Sequence, residues 1–334
     1  MNQVIMVDTT DIINKLNLKL NMEGNIMKKI LVTGGAGFIG SSLVDELIKD
    51  EGNIITIVDD LSMGKRDNIP KSDRITFYEK SVCDYEYMQE LLINEKFNYI
   101  YHLAAVASVA DSIERPAYTH QVNLESTLNI LETVRINKLG ITKMLFSSSA
   151  AVYGDDPTLP KKEISPIKPK TPYAIDKYAS EQFVLRYGEL YDIQTVAVRF
   201  FNVYGPKQNP KSPYSGVLSI LKDSIDNNRS FKVFGDGEQY RDFVFINDVV
   251  GAIIHLATSS KCVHEVYNVG TGKRTSLNNV IKDFKEILSS NIPIEYANSR
   301  TGDIKYSYAD IQKLLDSGYT PKYSVTQGLR LYLK

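Results

Sequence analysis

The stretch Ile30-Leu31-Val32-Thr33-Gly34-Gly35-Ala36-Gly37-Phe38-Ile39-Gly40 narrows the folds open to this chain more than any other. A β-branched run leads straight into glycines spaced G-x-x-G-x-x-G, and a helical pattern continues through Lys49. Gly34 and Gly37 permit a tight turn that a pyrophosphate can approach closely. Gly40 lets the helix pack near the strand, and the helix N-terminus favours negative charge. Alone, a glycine loop reads equally well as a plain turn; here strand, loop and helix occur in order.

The pattern then repeats. Strands are expected at residues 54–58, 75–78, 99–103, 144–147 and 195–200, with a helix at 85–94 and another starting at Pro116, whose apolar stripe reads as Leu124, Leu128 and Leu131. Such β-α-β alternation predicts a parallel sheet covered on both faces. Regularity is lost in the Pro- and Gly-studded stretch 205–216. Beyond it come a helix from Val217 and strands at 231–233 and 243–246. The expected organisation is a dinucleotide-binding domain over 28–201, joined by elements near 243–271, and a smaller mixed α/β lobe over 202–334.

Composition excludes several classes. Apolar residues make up 43% and charged ones 24%, as in an ordinary globular chain. Lys and Arg total 39 against 40 Asp and Glu, so no basic excess calls for nucleic acid, although a small acidic ligand is admissible. Two distant cysteines, Cys83 and Cys262, and four scattered histidines suggest neither a disulfide framework nor a metal site, and point to a reducing cytoplasm. No apolar run approaches the ~18 residues of a membrane span. Residues 1–27 lack the apolar core of a signal peptide. Ile12, Ile13, Leu16 and Leu20 would share one face of a helix; the plainer and favoured reading is an N-terminal extension outside the fold, which is expected to start at Lys28.

Asp59 ends the second expected strand, about 20 residues past the loop. A carboxylate there bonds a ribose 2′-hydroxyl and repels a 2′-phosphate, so NAD is expected over NADP, although Lys65 and Arg66 nearby argue the other way. Tyr173 and Lys177 stand four apart after Thr171-Pro172, a helix start, and so share one helical face. Roughly one or two such pairs arise by accident in a chain with 21 tyrosines. A second feature converges with this one: Ser149 closes a strand, where ligands of open α/β sheets bind. Tyr173 would take a proton from a substrate hydroxyl as hydride leaves the same carbon. Lys177 and a cationic nicotinamide would lower its pKa, and Ser149 would bond the reacting oxygen.

The glycine loop, His102-Leu103-Ala104-Ala105, Asn123, Ser149 with Tyr173-x-x-x-Lys177, and Arg199-Phe200-Phe201-Asn202 together resemble the extended short-chain dehydrogenase/reductase superfamily from about residue 28 onward. Within it the chain most resembles the UDP-glucose and UDP-N-acetylglucosamine 4-epimerases. The resemblance implies a Rossmann-type doubly wound parallel sheet with a smaller substrate lobe, and NAD as cofactor. Gly34, Gly37, Phe38, Ile39, Gly40, Asp59, Ser81, Val82, Leu103, Ala104, Ala105, Asn123, Tyr173 and Lys177 would contact NAD. Ser81 stands where many relatives carry an adenine-binding Asp, and Asp84 follows three residues on. Ala107, Ser108, Ser149, Asn202, Val217, Arg241, Arg300, Asp303 and Ser307 would face a UDP-sugar, with Arg241 suited to phosphate by its charged fork. Related enzymes commonly form homodimers through the helices after Pro116 and Pro172, which Leu124, Leu128 and Phe183 would fit.

Related 4,6-dehydratases follow the strand-end Ser/Thr with Asp-Glu, and UDP-glucuronate decarboxylases keep the Glu. Ala150 and Ala151 stand here and cannot move protons, which leaves reversible oxidation at C4. An epimerase with tightly held NAD is the primary reading. A UDP-glucuronate 4-epimerase and an NAD(P)-dependent 4-reductase are the alternatives, and a sensor without turnover is disfavoured because the acid–base set is complete. Ser307, at a position where a bulky tyrosine would exclude a C2 N-acetyl group, implies UDP-GlcNAc/UDP-GalNAc, with UDP-Glc/UDP-Gal also open.

Overall fold

The computed structural model describes residues 19–20, 26–208, 216–299 and 305–334. Seven parallel strands form the central sheet. Their spatial order is Glu265–Val269, Thr195–Phe200, Lys143–Ser149, Tyr99–His102, Ile26–Thr33, Asn53–Asp59 and Ile75–Glu79. The chain enters at the middle, runs to one edge, returns to the middle and proceeds to the other. Strand order therefore reverses between Ile26–Thr33 and Tyr99–His102, and a crevice opens beyond their C-terminal ends. This is the doubly wound, Rossmann-type sheet.

The central strands are apolar on both faces because helices cover both. Leu31, Val32, Ile55, Ile57, Leu145, Phe146 and Val196 are all fully buried. The helix Phe38–Leu47 packs Leu43 and Val44 on one face, with Ile246–Thr258 beside it. Tyr85–Glu95, Ser126–Ile136 and Pro172–Tyr191 cover the other face. Smaller pairings complete the molecule: Asn202–Tyr204 parallel to Phe243–Phe245, Phe231–Phe234 parallel to Ile294–Ala297, and Tyr240–Arg241 antiparallel to Thr275–Ser276.

Two local expectations change. Lys19–Leu20 pairs antiparallel with Ile26 and Met27, so Leu20 is extended and not helical, and the first sheet strand starts at Ile26 rather than Lys28. Ile12, Ile13 and Leu16 lie outside the described residues. The stripe after Pro116 also shifts. Gln121–Glu125 is π-helical, and the extra residue in that turn rotates the helix beyond it. The inward face is Val122, Asn123, Ser126, Thr127, Ile130, Leu131 and Val134, while Leu124 and Leu128 are only half-buried at its margin. Polar residues stay on that face because each is bonded: Ser126 Oγ donates to the Val122 carbonyl and Thr127 Oγ1 to that of Asn123.

Candidate active site

A cavity of about 480 Å³ occupies the crevice. One wall is the glycine loop. Gly34 has φ +72°, and a Cβ there would lie 2.7 Å from the Ala104 nitrogen; a Cβ on Gly40 would strike the Gly34 carbonyl oxygen. Gly34, Gly37, Phe38, Ile39 and Gly40 all line the space, joined by Asp59, Val82, Leu103, Ala104 and Ala105. The loop is braced from below by His102, whose Nδ1 lies 2.7 Å from Thr33 Oγ1 and Nε2 3.0 Å from Thr127 Oγ1. Complete burial, helped by the charge of Lys177, lowers the His102 pKa to about 3, so the imidazole is a neutral strut.

Asp59 is positioned by the loop it faces. Its carboxylate accepts the Ala36 N–H and the Leu61 N–H, each at 2.9 Å. Burial raises its pKa, and those backbone bonds oppose the rise. Lys65 lines the cavity, whereas the Arg66 guanidinium is engaged by Glu79 at 3.0 Å and lies over Phe77. Asn123 does not line the cavity. Its amide bonds both the N–H and the carbonyl of Val106, at 2.8 and 3.2 Å, and so holds the 103–107 turn in place. Ser81 is likewise absent from the lining; its Oγ accepts the Cys83 N–H, while Asp84 caps the helix Tyr85–Glu95.

On the opposite wall stands the helix Pro172–Tyr191, started by Thr171, whose Oγ1 accepts the Ala174 N–H, with Pro172 in the first turn. The spacing of Tyr173 and Lys177 brings both to the cavity. Ser149 ends the strand Lys143–Ser149 but is not in the lining, unlike Ser147 and Ser148; its Oγ accepts the Ala151 N–H at 3.2 Å. Burial raises the Tyr173 phenol's pKa, with the nearby Ser149 side chain opposing. Lys177 Nζ donates to the Ser147 carbonyl at 2.8 Å, with Ser147 Oγ at 3.4 Å, and burial lowers its pKa to about 7 despite the pull of Asp176. Among the protein's own groups, burial therefore outweighs the lysine's expected effect on the phenol.

The helix is locked to the sheet by a buried network that no sequence spacing announces. Glu181 accepts two bonds from Arg199, at 2.6 and 2.9 Å, and one from Ser148 Oγ at 2.7 Å. Arg199 also donates to the Tyr153 hydroxyl, which donates to Asn268.

The expected sugar-side residues are more dispersed. Ala107 lines the cavity. The hydroxyl of Ser108 instead caps the helix Val109–Glu114, accepting the Asp111 N–H at 2.8 Å. Asn202 is exposed, and Val217 packs on the main core. Arg241 donates to the Tyr240 and Lys305 carbonyls, both at 3.0 Å, and the Ser307 N–H bonds the Tyr240 carbonyl. Arg300 and Asp303 lie outside the described residues. Sequence reasoning missed Asp242, fully buried between these pieces. It accepts the Thr271 N–H and Oγ1–H, the Gly272 N–H and the Ala309 N–H, so one carboxylate organises three segments. Lys80, Arg115, Lys207 and Gln208 of the lining were also missed, since no motif marks them.

A model of the NAD dependent epimerase/dehydratase family matches residues 30–270. The chain belongs to that family. The UDP-glucose 4-epimerase of Mycolicibacterium smegmatis is 35% identical over 306 residues, covering 90% of this chain and 96% of the relative. Among solved structures, the UDP-N-acetylglucosamine 4-epimerase from Methanobrevibacter ruminantium, in complex with UDP-N-acetylmuramic acid, has a TM-score of 0.86 at 37% identity, over 92% of this chain and 97% of that one. The UDP-glucose 4-epimerase of Thermus thermophilus in complex with NAD has a TM-score of 0.83 at 33% identity, over 91% and 97%. As a member of the NAD-dependent epimerase/dehydratase family, this chain takes NAD as its cofactor. Its residues fit that group: a glycine cradle at a helix N-terminus, a carboxylate at the end of the second strand, and the cations Lys65, Lys80 and Arg115 around the same cavity. Among the described residues no group of side chains could hold a metal ion, and no helix is long and apolar enough to cross a membrane.

Proposed function

We propose that the chain inverts C4 of a UDP-hexose through a 4-keto intermediate, with NAD retained between turnovers, and that UDP-GlcNAc/UDP-GalNAc is the preferred pair, UDP-Glc/UDP-Gal being accepted as well. One observation carries the reading: Tyr173 and Lys177 line the cavity from one face of the same helix, Ser149 ends the strand whose Ser147 and Ser148 line it too, and the neutral Ala150 and Ala151 follow where an elimination would need acids. NAD held in the cavity would supply the hydride chemistry at C4, acceptance from one face of the sugar and return to the other. Tyr173 accepts the 4-hydroxyl proton and gives it back, Ser149 holds the reacting oxygen, and Lys177 supplies positive charge beneath them. The glycine loop and Asp59 hold the dinucleotide, while Arg241 and the Asp242-braced stretch around Ser307 hold the nucleotide sugar.

The N-acetyl preference is supported by the small Ser307 side chain, carried near the turn at 150–153. Lys161 donates its N–H to the Tyr308 carbonyl and accepts that of Asp310, and Ala309 packs in one cluster with Val152, Tyr153 and Phe201. The test offers purified enzyme the GlcNAc/GalNAc, Glc/Gal and glucuronate/galacturonate pairs and compares kcat/KM. Turnover of acetylated substrates is expected to be highest; none would defeat the selectivity claim, and net consumption of reduced cofactor would make the protein a reductase. We further propose a homodimer through the helices after Pro116 and Pro172, supported by the exposure of Ile175 and Phe183 and by the marginal Leu124 and Leu128. Light scattering giving a monomer mass would overturn it.

A further inference from the structure

The segment following the Asn202–Tyr204 strand runs along the cofactor cleft, and one of its side chains ties it to the opposite wall. Lys207 has φ +70°, a left-handed conformation that is unfavourable for a residue with a Cβ. This conformation is held by contacts at its far end. Lys207 Nζ donates to the Asp45 carboxylate on the helix Phe38–Leu47 and to the Asn68 carbonyl at 3.0 Å, with the Ser41 carbonyl at 3.5 Å. Asn68 is itself bonded to the glycine loop, its Nδ2 donating to the Ala36 carbonyl at 2.9 Å. Lys207 and Gln208 line the same cavity as Gly37, Phe38 and Ile39. Gln208 adds a buried Oε1 with no hydrogen-bond partner among the described residues, a side-chain acceptor left over in that wall.

We infer that Lys207 is a latch: through Asp45 it holds residues 205–208 against the glycine-loop helix and thereby slows the escape of bound NAD. The two walls of the cleft come from distant parts of the chain, the glycine-loop helix and the segment at 205–208, and Lys207 is a direct bond between them. Its side chain is three-quarters buried, so its bonds to a carboxylate and a carbonyl are stronger than those of a fully exposed pair. The device suits an enzyme that regenerates its cofactor at every turnover, since slow release then has no cost to rate. The inference rests on NAD as the occupant of the cavity and deepens the proposal that NAD is retained.

The test compares wild type, Lys207→Met, Asp45→Asn and the double variant, each loaded with isotopically labelled NAD and chased with excess unlabelled NAD. Thermal midpoints of the NAD-stripped proteins are measured alongside. Each single variant is expected to release NAD about tenfold faster, a change of about 1.4 kcal/mol, and the double variant no faster than Lys207→Met alone, because that change already removes the ion pair along with the bonds to the Asn68 and Ser41 carbonyls. Release within twofold of wild type in both single variants would overturn the latch, whatever their stripped midpoints do, because a role in stability alone would move only those midpoints. If Lys207→Met does not fold, Asp45→Asn decides the matter alone. A wild type that takes up no label would remove the NAD assignment itself, and the latch with it, which is a different result from equal release rates.

Discussion

Two buried groups at the cleft are pushed toward their neutral forms, and both matter to the chemistry. Burial raises the Tyr173 pKa and lowers that of Lys177 to about 7, so without ligands the phenol keeps its proton and the amine is close to losing one. The phenol ionises only when further positive charge enters beside it, which confines its basicity to the loaded site. Tyr173→Phe removes the proton acceptor and keeps the ring, so it should cut kcat by at least about a thousandfold, while the NAD content of the purified protein, read by its release on denaturation, stays as in wild type. Lys177 also makes a stability prediction. Its folded pKa lies below the unfolded value, so between pH 7 and about 10 the unfolded chain binds the extra proton and stability rises with pH. In NAD-stripped protein this contribution should approach ~1.4 kcal/mol per pH unit and be missing from Lys177→Met. Parallel slopes for the two proteins in urea unfolding across that window would show that the amine is not buried as described.

At the scale of elements, Glu181 ties the Tyr173 helix to two strands through Arg199 and Ser148. Removing one member of a buried ion pair leaves its partner uncompensated, so Glu181→Ala should lower unfolding free energy by about 3–5 kcal/mol. A loss below about 1 kcal/mol in denaturant titration, the range of an exposed pair, would mean that water enters the site. This network also marks where sequence reading stops. Six of the seven parallel strands were legible as short apolar runs beside a helical period, whereas Glu265–Val269 fell only within the broader range 243–271, and the glycine loop was legible because its spacing carries its own mechanics. The Tyr173–Lys177 pair was legible from the i, i+4 rule. Hydrogen bonds between residues 18 or 33 positions apart, such as Arg199 to Glu181 or Ser148 to Glu181, leave no periodic trace. The π-helical turn at Gln121–Glu125 is equally silent, which is why Leu124 and Leu128 looked like core, and the bonds by which Asn123 braces the 103–107 turn leave no sequence signal either. On the sugar side the chain supplies its groups from loops, and loops are positioned by partners such as Asp242 that are distant in sequence.

Across the whole molecule, the cleft is lined by parts of the chain far apart in sequence: the glycine loop, the strand ends at Leu103 and Ser147, the Tyr173 helix and the segment at Lys207. A ligand touching all of them binds the folded state alone, so it should stabilise the entire protein. At NAD about one hundredfold above its Kd the gain is about 2.7 kcal/mol. With an unfolding entropy of ~2.1 cal/mol/K per residue, each kcal/mol corresponds to roughly 1.4 °C in thermal midpoint for a 334-residue chain, so refilling stripped protein should raise the midpoint by about 4 °C. NADP at the same concentration should give less than about a third of that shift, because Asp59 is fixed toward the cavity by the Ala36 and Leu61 N–H groups and cannot turn away from a 2′-phosphate. Equal shifts from the two cofactors would mean that Lys65, which lines the same cavity, neutralises the added charge, and the preference for NAD would be lost. A shift from NAD that vanishes in Gly34→Val, whose side chain would collide with the Ala104 backbone, would locate the effect in the glycine cradle and not in ionic strength or nonspecific binding.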